Sequence, residues 1–292
     1  MKFFKEKRRG FPVFEVVSFL VLFAYAVSLL LPLLWSLMSS FKGNIDYLKD
    51  SFGFPTKFVN NYKDVFDRFI VPIQNTDGTT RDAKFGEMVL NSAWYAFGTS
   101  FVSTCVSFLV AYVVARFKFK FCNVIYTIVI LQMIIPTVGT LPSELRISNA
   151  LGLYDTPYGM LFMKSYVTGL YFLSFYAALR VIPRDYEEAA HLDGAGNFVV
   201  MLRIMIPMIS GVFTTVLLLT FITFWNDYQT PLIYMPSYPT LAFGLWHYIN
   251  VDSKGSVPMK LSGCMLMAVP LFIIFIAFQK KLMGNVSLGG LK

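Results

Sequence analysis

Charge is scarce in this chain. Asp, Glu, Lys and Arg make up 14% of its 292 residues, against about 25% in a soluble domain. Histidine and cysteine are scarcer, at two and three copies. His191 and His247 have no companion ligands, and the odd, unclustered cysteines give neither a disulfide framework nor a zinc spacing. No metal site is therefore expected. Cys105, Cys122 and Cys264 lie in or beside apolar runs and read as small packing residues. Also missing are internal repeats and low-complexity segments beyond a Lys/Arg-rich start. What remains is 56% hydrophobic and 17% aromatic, with a mean hydropathy of +0.59. That balance indicates a polytopic membrane protein.

A helix needs about 20 apolar residues to cross the hydrocarbon. Residues 16–41, 88–115, 121–143, 204–226 and 261–279 contain no Asp, Glu, Lys or Arg. A sixth run, 158–179, carries only Lys164 near one end, where the ammonium can snorkel to the interface. Residues 228–251 also lack formal charge, yet Pro231, Pro236 and Pro239 with Gln229, His247 and Asn250 break the run, so it reads as a loop outside the bilayer. The expected fold is all-α, with six transmembrane helices and one charged, helix-forming cytoplasmic connection.

Six spans put both termini on one side. Basic residues concentrate on the tail (Lys2, Lys5, Lys7, Arg8, Arg9), the second connection (Arg116, Lys118, Lys120) and the C-terminus (Lys280, Lys281, Lys292). The positive-inside rule makes that side the cytoplasm. The net charge of +8 then records orientation, and no nucleic acid is needed as a partner. The first apolar run is too long for a secretory signal and no small-x-small cleavage site follows it, so an uncleaved anchor is expected.

Residues 180–203 form the longest and most charged internal connection on this side. Pro183 can open a helix, and Asp185, Glu187 and Glu188 suit its first turns. Ala189 and Ala190 continue it, and Asp193, Gly194, Ala195 and Gly196 break the chain before an amphipathic piece leads to Pro207.

The series Glu188, Ala189, Ala190, two residues, Asp193, Gly194, Ala195, eight residues, Ile204, one residue, Ile206, Pro207 resembles the EAA loop of binding-protein-dependent ABC importer permeases. The family usually has Leu where this chain has Ile206. Further matches are Leu90 to Ser92, Ala111 and Tyr112, Ala115 to Phe117, Leu151 to Leu153, and Asp155 with Thr156. Phe224 to Tyr228 and Pro231 to Tyr234 are similar to the maltose-type carbohydrate branch. The resemblance covers most of residues 85–292. It implies a permease core over 85–292, with coupling loop 183–207, preceded by a tail, span and external loop over 1–84.

That resemblance implies a sugar importer, with an oligosaccharide as substrate, in which this chain supplies half of the pathway. Its partners would be a second homologous permease, a cytoplasmic ATPase dimer, an extracellular solute-binding protein and membrane lipid. Coupling to the ATPase would pass through Glu187, Glu188, Ala189, Ala190, Asp193, Gly194 and Ala195. The chain itself would be no enzyme and bind no cofactor. The Gly-rich tract 284–290 lacks the Lys and Ser/Thr of a phosphate cradle, so ATP and Mg belong on the partner ATPase. Sugar binding calls for aromatic faces and polar side chains. The candidates are Asn91, Gln132, Trp225, Asn226, Asp227 and Tyr228, each equally able to serve in packing or as an interfacial anchor. The loop with Tyr238 at its tip resembles the one that probes the binding protein.

Other readings carry their own sequence requirements. An ion-coupled transporter would be expected to carry ionisable groups inside its spans. An intramembrane protease would need a nucleophile paired with a base. A permease for a glycerol phosphate, polyamine or peptide is the nearest rival.

Overall fold

The computed structural model describes residues 12–74, 78–135, 139–251 and 255–286. Lys2, Lys5, Lys7, Arg8, Arg9, Lys292 and the end of the Gly-rich tract lie outside them. Within the described residues the chain is helical apart from one antiparallel hairpin, β1 (Val71–Gln74) and β2 (Thr80–Ala83).

The helices are α1 (Pro12–Ser39), α2 (Asn44–Lys49), α3 (Asn61–Arg68), α4 (Phe85–Arg116), α5 (Phe121–Ile134), α6 (Leu141–Ala150), α7 (Pro157–Met163) and α8 (Gly169–Val181). Then come α9 (Asp185–Leu192), α10 (Asn197–Val200), a π-helical turn (Met201–Met205), α11 (Ile206–Met208), α12 (Ser210–Trp225), α13 (Gln229–Tyr234), α14 (Leu241–Asn250) and α15 (Val257–Val286). The molecule is a polytopic helical membrane protein. α1, α4 and α15 are long and apolar enough to cross a bilayer, and the pair 197–208 with 210–225, bent by 81°, makes a fourth candidate.

The other two expected spans are shorter than the charge-free runs suggested. α5 ends at Ile134, and α7 stops at Met163, five residues before α8 begins. Lys164 sits in that break, so its ammonium need not be buried against helix backbone. Residues 228–251, expected to be a loop, instead contain α13 and α14. The prolines do not prevent this. Pro231 falls in the first turn of α13, where its missing N–H costs nothing, and Thr240 caps α14 by accepting from the Phe243 amide at 3.3 Å.

Two compact units divide the chain. Among the described residues the smaller holds 12–65 with 255–266. In it Asn61 donates to the carbonyls of Ser40 (2.7 Å) and Lys42 (2.8 Å), Ser262 donates to Ser40 O (3.0 Å), and buried Lys42 donates to Asp50 O (2.7 Å). These bonds fix the exit of α1, where helix carbonyls lack partners.

The larger unit is built on α4, which packs along α8 and α12. α4 buries small residues, Ser92, Ala96, Thr99, Ser100, Ser103, Thr104, Ser107, Ala111 and Ala115. A small-residue stripe lets helix backbones approach closely and supplies interhelical hydrogen bonds, which hold helices together where lipid offers no hydrophobic drive. Thr104 meets Thr220 at 3.1 Å, and Ser107 accepts from the Thr168 amide at 3.1 Å, at the entry of α8. Toward the Arg116 end the filling turns aromatic, with Phe108 against Phe175 and Phe213 at 5.6 and 5.8 Å. At Gly169 a Cβ would lie 2.3 Å from Met133 Cγ, so any larger residue would displace the Met133 side chain from this approach of α8 to α5.

Candidate functional site

Three features of the larger unit carry chemistry. The first is the charged connection after α8. α9 opens with Asp185, Glu187 and Glu188 in its first turn, which complements the helix dipole. It closes through Gly194 in the left-handed region, φ +82°. The Ala195 amide donates to Ala190 O (2.9 Å) and the Gly194 amide to His191 O (3.0 Å). This is a Schellman end, whose left-handed position favours glycine at Gly194.

Arg116 anchors the connection. From the last turn of α4 its Nε donates to Glu187 Oε1 at 2.7 Å. Nη1 donates to the carbonyls of Leu179 (3.0 Å) and Ile182 (2.9 Å), and Nη2 to Pro183 O (3.4 Å). One fork thus ties the end of α4 to the end of α8 and the start of α9, a geometry lysine cannot reproduce. Of the residues named for coupling, Glu187 faces this fork and Ala190 and Ala195 pack partly against the core. Glu188, Ala189, Asp193 and Gly194 stay exposed. So do the apolar side chains of Tyr186, Leu192 and Phe198, at 51%, 89% and 69%, a surface that points to a partner.

The second feature is a polar cavity of ≈ 480 Å³ lined by Gln132, Glu144, Lys164, Tyr166, Thr230 and Tyr234, with Met160 and Met163. Lys164 Nζ donates to Thr230 Oγ1 (3.2 Å) and lies 5.8 Å from the centre of the Phe224 ring. Its ammonium is therefore committed to the cavity. Tyr234 donates to Glu144 Oε2 at 2.6 Å. Hydrogen bonds from the Thr140 and Tyr234 hydroxyls hold Glu144, on a connection between spans, below the usual carboxylate range. Burial, and then the Glu144 carboxylate, push Tyr234 up to about 12.

The expected substrate residues divide around this cavity. Gln132 lines it. Asp227 lies just behind, accepting from Tyr95 OH (2.8 Å) and the Thr230 amide (3.0 Å). Tyr228 stacks on Trp246 with ring centres 5.9 Å apart. Buried Trp225 donates to Met267 O (3.1 Å), and exposed Asn226 donates to Ile222 O (2.8 Å) within its own helix. Asn91 donates to Pro239 O at 3.1 Å. Sequence reasoning missed Glu144, Tyr166, Thr230 and Tyr234. Only Lys164 gave a signal, as the lone charge in an apolar run.

The third feature is the segment around Tyr238. Asp155, at φ +54°, accepts from the Ser237 amide (2.9 Å) and hydroxyl (2.6 Å), and its own amide donates to Tyr234 O (2.9 Å). Arg81 donates to Ser237 O (3.1 Å) while paired with Glu87 at 2.8 Å. Ser92 accepts from the Leu241 amide at 2.7 Å. Tyr238 is half-buried on this tethered turn.

The chain resembles several sugar-system permeases along nearly its whole length. It is 26% identical to the diacetylchitobiose uptake system permease protein NgcG of Streptomyces coelicolor, over 94% of this chain and 88% of that one. It is 25% identical to the maltodextrin transport system permease protein MalD of Streptococcus pneumoniae, over 98% and 97%. With the arabinooligosaccharides transport system permease protein AraQ of Bacillus subtilis it shares 28% over 69% and 72%. Its fold matches a chain of a bacterial ABC transporter involved in the import of the acidic polysaccharide alginate, with a TM-score of 0.76, 19% identity and coverage of 96% and 99%. The sequence pattern of one family spans residues 103–287, which takes in α5 to α14, the Arg116 fork and the Schellman turn. The chain belongs to the binding-protein-dependent transport system inner membrane components.

Proposed function

We propose that this chain is the transmembrane permease subunit of an ATP-driven sugar importer, forming half of the pathway for an oligosaccharide and working by alternating access. The observation that supports this most is the Arg116 fork. It joins the exposed coupling surface of α9 and its turn directly to α4 and α8, so displacement of the surface is delivered to the helices that form the bundle. Relatives named for diacetylchitobiose, maltodextrin and arabinooligosaccharides favour a sugar over a glycerol phosphate, polyamine or peptide. The amide, hydroxyl and charged groups around the ≈ 480 Å³ cavity suit sugar hydroxyls.

In this reading residues 183–207 and both termini face the cytoplasm of a bacterial inner membrane. A separate ATPase dimer docks on Glu188, Ala189, Asp193 and Gly194 and on the apolar side chains beside them. ATP and Mg reside on that ATPase, and this chain performs no catalysis. A second homologous permease completes the pathway, and an external solute-binding protein delivers the sugar to the face bearing Tyr238.

The test is uptake of labelled oligosaccharides into vesicles holding the reconstituted assembly. Uptake should require ATP inside and the binding protein outside. Transport that continues without ATP and collapses with an uncoupler would overturn the proposal.

A further inference from the structure

A separate cavity of ≈ 590 Å³ opens between the start of α5 and the end of α8. Three cations line it, Lys118, Arg180 and Arg184, beside Asn123 and the rings of Tyr126 and Tyr176, and no acidic residue is among its lining. Arg180 lies 5.7 Å from the centre of the Tyr176 ring. Among the described residues none of the three cations forms an ion pair. Glu187 is engaged by Arg116, and Glu188 lines a neighbouring cavity that Lys118 and Arg184 also border. Like charges gathered in one recess repel one another unless an anion enters.

What lies beside the recess identifies the anion. Phe121 directly precedes Cys122 and Asn123 of the cavity wall. From it Phe121, Val124, Ile128 and Leu131 run up α5 at 69%, 49%, 57% and 48% exposure. Their spacing of three and four places them on one helix face. The ten steps from first to last rise about 15 Å, half of a hydrocarbon core of about 30 Å. A basic recess with room for a phosphate and its glycerol thus adjoins an apolar track half a bilayer core long. A free anion would leave that track unused, as would an acidic segment of a partner protein.

We propose that this cavity binds the headgroup phosphate of an anionic phospholipid, with an acyl chain lying along the Phe121 to Leu131 face. Lys118, Arg180 and Arg184 contact the phosphate, and Asn123 and the tyrosine hydroxyls are placed to meet the glycerol. The proposal needs only that the chain sits in a bilayer and is independent of the solute transported.

Native mass spectrometry tests it on the full chain, extracted in mild detergent with its bound subunits, delipidated and titrated with phosphatidylglycerol. Phosphatidylcholine serves as the neutral control and inorganic phosphate as the competitor. The wild type should retain phosphatidylglycerol over phosphatidylcholine by on the order of tenfold or more. The combined Lys118→Gln, Arg180→Gln and Arg184→Gln variant should lose that preference, and Ile128→Asn should weaken retention of both lipids. Arg180→Lys should keep the preference. If the triple variant does not insert, Arg180→Gln and Arg184→Gln singly should each reduce it severalfold. Three results would overturn the proposal: an unchanged preference in the glutamine variants, displacement of the lipid by millimolar phosphate, or loss of a bound subunit from the triple variant with lipid retention intact.

Discussion

Arg116 and Glu187 stand 71 residues apart in sequence and 2.7 Å apart in space, with side chains 4% and 14% exposed. The pair joins the last turn of α4 to the first turn of α9. Glu187 therefore serves the permease's own frame, while Glu188 beside it stays exposed.

Breaking a buried pair by removing one member costs about 3 to 5 kcal/mol, because the other charge is stranded. Arg116→Ala should lower the thermal stability of the purified chain and raise the ATP hydrolysed per sugar imported. Arg116→Lys, which keeps the charge and loses the fork, should restore part of the stability and little of the coupling. Unfolding curves and parallel ATPase and uptake assays distinguish the two.

Gly194 has no atom within 4 Å of the place a Cβ would occupy, so the only obstacle there is φ +82°. A side chain in that region costs about 1 to 2 kcal/mol and reopens the Schellman turn. Gly194→Asp, which also adds charge beside Asp193, should abolish substrate-stimulated ATP hydrolysis in the assembled complex while membrane insertion stays normal. Unchanged coupling in reconstituted vesicles would remove the docking role.

The Tyr234 to Glu144 bond defines a pH window. Glu144 has a folded-state value depressed below 4.5, so its contribution is present above that pH and is lost as pH falls through the lowered value. Tyr234, raised from 10.0 to about 12, keeps its donor proton until pH approaches that value. The bond therefore persists across the neutral range. Tyr234→Phe removes a donor from Glu144 and should increase its protonated fraction near pH 5, read as faster carbodiimide labelling of Glu144 by mass spectrometry.

Asp155 holds Ser237 through two hydrogen bonds. Bonds to a charged group contribute about 1.5 to 3 kcal/mol. Asp155→Ala should speed hydrogen exchange at the Ser237 amide and weaken capture of the loaded binding protein, whereas Asp155→Asn, which tolerates the positive φ, should be milder on both counts.

Lys164→Met would leave Thr230 without its cation partner in the polar cavity. If a sugar occupies that cavity, KM for uptake should rise with maximal ATPase activity nearly unchanged. An unaltered KM would move the sugar elsewhere.

Membrane character and the turn after α9 were legible in the sequence because each depends on local residues. Twenty charge-free positions specify a span, and Asp193, Gly194 and Ala195 specify a turn. The interruptions were less legible. Lys164 read as a snorkelling side chain, but Thr230 and Phe224, sixty or more residues away, retain it. The prolines after α12 read as helix breakers, yet first-turn placement of Pro231 and the cap from Thr240 make short helices possible. Asn91 read equally as a sugar candidate and as a packing residue, because a neutral amide at membrane depth fits both, and its bond to Pro239 lies 148 residues away in sequence, beyond the reach of local pattern.

The 81° bend before α12 makes the segment 197–208 a crank. Twelve residues at about 1.5 Å each give an arm of about 18 Å, standing nearly square to the shaft. Each degree by which the shaft rolls then carries the far end of the arm sideways by about 0.3 Å on this geometry. A docked subunit pushing there would obtain rotation of the buried helix from a linear stroke, without any change in the helix's length.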